Sequence, residues 1–262
     1  MLPTEDRQPT RPDASAAMQR SIILSHIFLK ALATPPPELL ARFTKEEDRK
    51  QISSGLQKHV DQQIEKLRAA GLWELLEDAE REFMQTGPFE TTMRQRIDAG
   101  WLAESIMCLF WALGRREEIL PYDQEADPRS NWLHKDEKTR DLFREAVFRP
   151  EAEIDRQREL AELWHWRCRT QTLLATGKIP DTLPNGTKMA EVIRLAADKA
   201  AEWNVLAQPI ENDFPAFGKP FRDVSEEELS RLTSIAMERH KAFNWLCGYA
   251  EGNRWSETPT DT

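Results

Sequence analysis

Trp101-Leu-Ala-Glu-Ser-Ile-Met-Cys-Leu-Phe-Trp-Ala-Leu113 is the stretch on which the architecture turns. Wound at about 100° per residue it is apolar on every side, with Glu104 its one charged group. A helix with no solvent-facing side belongs in the middle of a fold. The stretch predicts a central helix from about Phe89 to Leu113, stopped at Gly114.

Outward from it the chain reads as helices separated by Pro and Gly. Residues 1–13 are polar and contain proline, and are expected to form a flexible leader. A first helix runs roughly from Ala14 to Ala33 and stops before Pro35-Pro36-Pro37. A second follows Thr44, which pairs with Glu47 as a capping box, and sets Ile52, Leu56, Val60, Ile64 and Leu67 on one narrow face. A third, Leu72 to about Gln85, ends before Gly87-Pro88. After an irregular acidic stretch, helices are expected near Lys135–Phe148, from Pro150 to about Thr176, and from about Thr187 to Trp203. The segment Gln208–Asp223 holds three prolines with Phe214, Phe217 and Phe221, and predicts an ordered loop pinned by aromatics. Ser225 and Glu228 make another capping box and open the last helix. The expected fold is all-α: one domain over residues 14–262, a multi-helix bundle around the buried central helix, with the aromatic loop and an extended C-terminal strap.

Composition agrees with that class. The 262 residues are 40% hydrophobic and 31% charged, as in a soluble globular protein. Nine Trp and only two Tyr suit helices packed around large flat side chains, and ten Gly leave little room for the many tight turns of a β fold. A net charge of −9 argues against general nucleic-acid binding, which needs a basic face, and favours basic partners. Cys108, Cys168 and Cys247 have no paired spacing, so they predict neither a disulfide framework nor a zinc knuckle, and they fit a reducing cytoplasm. Ser21–Ala33 is the only apolar run that imitates a targeting signal. His26 and Lys30 interrupt it, acidic residues precede it, and it is too short to span a bilayer; it reads as a buried first helix, and no membrane is expected.

Chemistry is sparse. Glu104 shares a face with Ile97, Trp101, Cys108 and Trp111, and a buried carboxylate pairs with a cation or has its pKa raised. Arg149, Arg167 and Arg239 are the candidate cations. On the last helix Leu229, Leu232, Ala236, His240, Phe243 and Cys247 form one stripe with Arg239 at its margin, so a cation and a titratable ring must find partners there. The long helix adds Glu153, Trp164, Arg167 and Gln171 on one face, which either lines a polar cavity or, as the favoured reading, puts Trp164 in the core with Arg167 snorkelling to the surface. Arg158, His165 and Arg169 fall on the opposite side and read as a solvated face. No histidine stands at metal-ligand spacing, and neither a phosphate-cradling loop nor a nucleophile elbow is present; no metal and no cofactor are expected. In the tail, Trp255-Ser-Glu-Thr-Pro-Thr-Asp-Thr262 reads as a strap, with Trp255 docking on Trp245 and Asp261 bonding a neighbouring helix end, or else as a flap over a pocket.

Three segments carry a family resemblance. They are Asp213-Phe-Pro-Ala-Phe-Gly-Lys-Pro-Phe221 through Arg239-His240 and Trp245 to Thr260-Asp-Thr262; Trp101-Leu-Ala-Glu104 with Leu109-Phe-Trp-Ala-Leu-Gly114; and Arg149-x-x-x-Glu153-Ile154 followed by Trp164-His-Trp166. Together they resemble a bacterial domain-of-unknown-function family, DUF4272. The resemblance implies a mostly helical bacterial protein and brings no activity or catalytic residue with it. The reading of the residues is then a cytoplasmic binding or interaction protein of acidic surface, a toxin-neutralising partner being one form it could take. The alternative is an enzyme or small-molecule binder using Glu104 as acid/base and Arg239 as anion clamp in a buried pocket with Arg149, Glu153, Arg167 and His240.

Overall fold

A computed structural model describes residues 10–126, 145–202 and 206–262. The chain is mostly α-helical and forms two compact units. The N-terminal unit comprises residues 13–116 with 145–148; the C-terminal unit comprises residues 10–12, 117–126, 149–202 and 206–262.

In the N-terminal unit, α1 (Ala14–Ala33) packs along α5 (Met93–Ala112), the predicted central helix. Asp13 starts α1 by accepting from the Ala16 N–H at 2.7 Å. Helix α1 is buried nearly all round, with Met18, Ile22, Ile23 and Leu24, and α5 is so from Ala103 onward, with Ile106, Met107, Cys108 and Leu109. Between them in sequence come α2 (Pro37–Leu40), α3 (Glu46–Ala69), a 3₁₀ turn (Trp73–Leu75) and α4 (Asp78–Gln85). Only the second half of α3 is anchored, through Val60, Gln63, Ile64 and Leu67.

Three helix starts differ from the sequence reading. The Thr44–Glu47 box does not form: Lys45 is the N-cap without a side-chain bond, and Glu46, Glu47 and Asp48 set negative charge against the helix dipole instead. The expected helix from Leu72 breaks at Leu76, whose extended backbone lets α4 begin afresh; the Glu80 carboxylate reaches back 2.8 Å to the Glu77 N–H. Helix α5 begins at Met93 rather than Phe89, because Thr92 and Gln95 make a reciprocal capping box.

The C-terminal unit is built on α6 (Glu151–Ala175) and α8 (Glu226–Leu246), packed along each other, with α7 (Met189–Glu202) against α6. Ser225 and Glu228 cap α8 reciprocally, as the sequence signalled. The aromatic loop is a minimal hairpin, Pro215–Ala216 against Lys219–Pro220, turning through Phe217 and Gly218 with φ of 53° and 72°. Phe214 and Phe221 are fully buried and meet the Trp164 ring at 5.5 and 6.1 Å, which locks the loop onto α6.

Most of the helix expected near Lys135–Phe148 lies outside the described residues, and residues 145–150 are not helical. Residues 1–9 of the expected leader and the expected helix end at Trp203 also lie outside them. Thr10–Pro12 are described and are held. Gly248 (φ 80°) offers a bare backbone on which a Cβ would stand 2.7 Å from the Thr10 carbonyl carbon, and Arg11 pairs with Asp155 at 2.6 Å. Among the described residues no helix is long and apolar enough to cross a membrane.

Candidate functional site

The polar interior of the C-terminal unit lies between α6 and α8. Arg167 does not snorkel outward as expected: it is on the buried face of α6 with no exposed surface, because a buried carboxylate meets it there. Its Nε and Nη2 each donate at 2.8 Å to the two oxygens of Asp213, and Nη1 donates to Gln171 at 3.0 Å. Asp213 also accepts from the backbone N–H groups of Phe214 (2.8 Å) and Arg222 (3.0 Å). Four donors on one carboxylate consume its lone pairs, so this pair is a clasp that fixes residues 213–222. Asp213 escaped the sequence reading, although it is the acid beside the first phenylalanine of the aromatic loop.

Arg239, on α8, is fully buried as well. Its guanidinium donates to the carbonyls of Leu120 (2.5 Å) and Gln124 (3.0 Å) and lies 4.6 Å from the Tyr122 ring centre, which itself stacks on Trp164 at 4.9 Å. It thereby ties the loop 120–124 to α8. Arg149 pairs with Glu153 at 3.6 Å across the start of α6, a half-exposed contact worth little by itself.

His240 Nδ1 lies 3.1 Å from His165 Nδ1, and the Asn244 amide nitrogen lies 2.9 Å from His240 Nε2 and 2.8 Å from the Pro259 carbonyl. This corrects the expected solvated face of α6: His165 is turned inward and buried, while Arg169 stays exposed. A helical wheel cannot foresee that, because the partner ring comes from a residue 75 positions away. Burial first, then the neighbouring His165 and Arg158, push His240 down to about 4. Burial, assisted by Arg169 and opposed by Asp261, also lowers His165. Beyond them Trp245 and Trp255 meet edge to face at 5.8 Å, and the Trp245 indole donates to the Asn253 carbonyl at 2.9 Å.

Of the six residues in the sequence-derived pocket, Glu104 is in α5 of the N-terminal unit, and the other five lie in the C-terminal unit. Glu104, Arg239 and His240 are at most 1% exposed. Within the C-terminal unit Arg149 meets Glu153, Arg167 meets Asp213, Arg239 meets the Leu120 carbonyl and His240 meets His165. Two clefts do open there. One of about 420 Å³ runs between α6 and α7 over Leu163, Trp166, Val192 and Ala196, with Thr262 forming part of its wall. The other, about 860 Å³, is lined by Gln171, Arg194 and Arg222 beside the turn Glu211-Asn212, whose two residues both have positive φ. Burial pushes the Cys168 and Cys247 thiols up to about 12, which leaves neither a nucleophile. Among the described residues no three His, Cys, Asp or Glu side chains gather where a metal ion would fit.

No curated protein and no solved structure matches this chain. A family match spans residues 2–193, which include the central helix with Glu104 and the long helix with Arg149, Glu153 and Arg167; Asp213–Thr262 lies beyond it. On that match the chain belongs to the family described as Domain of unknown function (DUF4272).

Proposed function

We propose that this protein acts by binding a partner rather than by catalysis at a buried Glu/Arg/His centre. One observation carries the reading: the buried cations of the C-terminal unit are committed inward. Arg167 serves Asp213 and Gln171, and Arg239 serves two carbonyls and a ring. An anion clamp or a proton-transfer group must aim donors or acceptors at a substrate, and the bonds that Arg167 and Arg239 make here are to the protein itself. What the molecule offers outward is the surface that those loops shape, on a chain of net charge −9. The partner is then a protein with a basic face, met in a bacterial cytoplasm, a neutralised toxin being one such partner; nucleic acid and membrane are disfavoured by the same charge.

The test is affinity capture from source lysate followed by reconstitution with the purified candidate. A stoichiometric complex that weakens as salt rises is expected. Capture with no stoichiometric partner, together with a thermal-shift response to a small metabolite, overturns the reading in favour of ligand binding. That second reading draws on the cleft beside Glu211-Asn212, where left-handed backbone at a non-glycine residue stores strain of a kind common at ligand sites.

A further inference from the structure

The hydrogen-bond chain under the strap has only one consistent assignment of protons. Pro259 contributes a carbonyl, which can only accept, so the Asn244 atom 2.8 Å away must be the amide nitrogen. The same nitrogen faces His240 Nε2, which therefore presents a lone pair. The ring proton of His240 is then on Nδ1, donated across 3.1 Å to a lone pair on His165 Nδ1. Both rings are neutral. The Asn244 Oδ1 is buried and has no hydrogen-bond partner among the described residues, so the amide is held through its nitrogen and no bond at the oxygen opposes its turning.

We propose that the strap Trp255–Thr262 is a proton-operated latch: charging the His165–His240 pair turns the Asn244 amide, expels Pro259 and opens the cleft between α6 and α7. A proton added at His240 Nε2 would set N–H against N–H. A proton added at His165 Nδ1 forces the His240 proton over to Nε2, with the same result. In either case relief comes from rotating the amide so that Oδ1 faces the ring. The rotation swings an oxygen toward the Pro259 carbonyl, replacing a donor–acceptor contact with one between two acceptors. The strap loses this polar anchor, and Thr262, which walls the cleft over Leu163 and Trp166, leaves with it.

The charges around the pair come from three elements. On α6, Arg158 and Arg169 disfavour the charged rings, and Arg158 is itself bonded to Glu162. On the strap, Asp261 favours charge on His165; it is exposed, so its pull is screened. On α8, Lys241 lies over the Trp255 ring at 5.2 Å and holds the start of the strap. The balance keeps the latch shut near neutrality and opens it in acid. The inference does not depend on which partner the protein binds.

The experiment is amide hydrogen exchange of the full chain from neutral pH down through about pH 4, corrected for intrinsic rates, with residues 255–262 compared to Leu232–Ala236 in the middle of α8. Strap protection is expected to fall about tenfold or more while mid-α8 stays protected. A His240→Gln variant, which accepts from Asn244 but does not titrate, should keep the strap protected throughout. Nitrogen NMR of the wild-type histidines supplies a check that needs no variant: at neutral pH His240 should carry its proton on Nδ1. The proposal is overturned by a proton on Nε2 at neutral pH, by strap exchange indifferent to pH, or by loss of strap and helix protection together.

Discussion

The two units solve the same problem, a cation inside an apolar core, in different ways. In the N-terminal unit buried Lys30 and half-buried Arg96 finish helices, while buried Arg20 pairs with Glu80. Lys30 donates to the Phe83 and Thr86 carbonyls at the C-terminus of α4, and Arg96 donates to the Thr34 carbonyl just past α1 at 3.0 Å. In the C-terminal unit Arg167 and Arg239 hold irregular chain, the hairpin 213–222 and the loop 120–124. The first use completes an element that its own backbone already specifies. The second makes a loop conformation depend on one side chain, which is how a helical scaffold fixes a surface for recognition.

The sharpest way to break this contrast is Arg167→Met. It leaves Asp213 buried without its cation and should cost about 3–5 kcal/mol in denaturant unfolding, with part recovered by adding Asp213→Asn. A cost near zero would mean that the hairpin holds itself. Acid should act next most strongly, on the N-terminal unit. His26, bonded to Gln63 at 2.7 Å, is pushed down to about 4 by burial. Its folded state therefore resists the proton that the unfolded chain accepts, so stability is full above about pH 6.5 and falls as pH drops toward 4, by about 3 kcal/mol at most. Unfolding midpoints across that window check it, and His26→Gln should flatten the slope. Gly248→Ala should cost about 1–3 kcal/mol, because the left-handed backbone and the contact at 2.7 Å both penalise a methyl group. Faster exchange at residues 10–12 is the signature. Smallest is Ser225→Ala, at about 1 kcal/mol from the lost cap of α8, read from the same unfolding curves.

Much of the helical plan was legible in the chain. The boundaries of α1, α6 and α8 follow from Pro, Gly and the Ser225–Glu228 box, since these signals act within one turn of the residues that carry them. Local competition blurred the rest: Thr44 and Thr92 are equally good caps by composition, and only Thr92 is used. For the polar interior, the sequence marked Glu104, Arg239 and His240 as groups too costly to bury alone. It gave no sign of Asp213 as the acceptor for Arg167, or of His165 turning inward to meet His240.

By itself, then, the sequence determined a helical protein with a rod at Trp101–Leu113 that is apolar but for Glu104 and Ser105, an aromatic-pinned loop and a handful of polar side chains that must be buried. Periodicity, capping and transfer energy are properties of neighbours along the chain. Only the tertiary structure decided that α1 pairs with α5 and α6 with α8, which carboxylate clasps Arg167, and how the Asn244 amide points between a ring and a strap. Those choices rest on partners tens of residues apart, and hydrogen bonds select among them by distances of a few tenths of an ångström, which no one-dimensional pattern encodes.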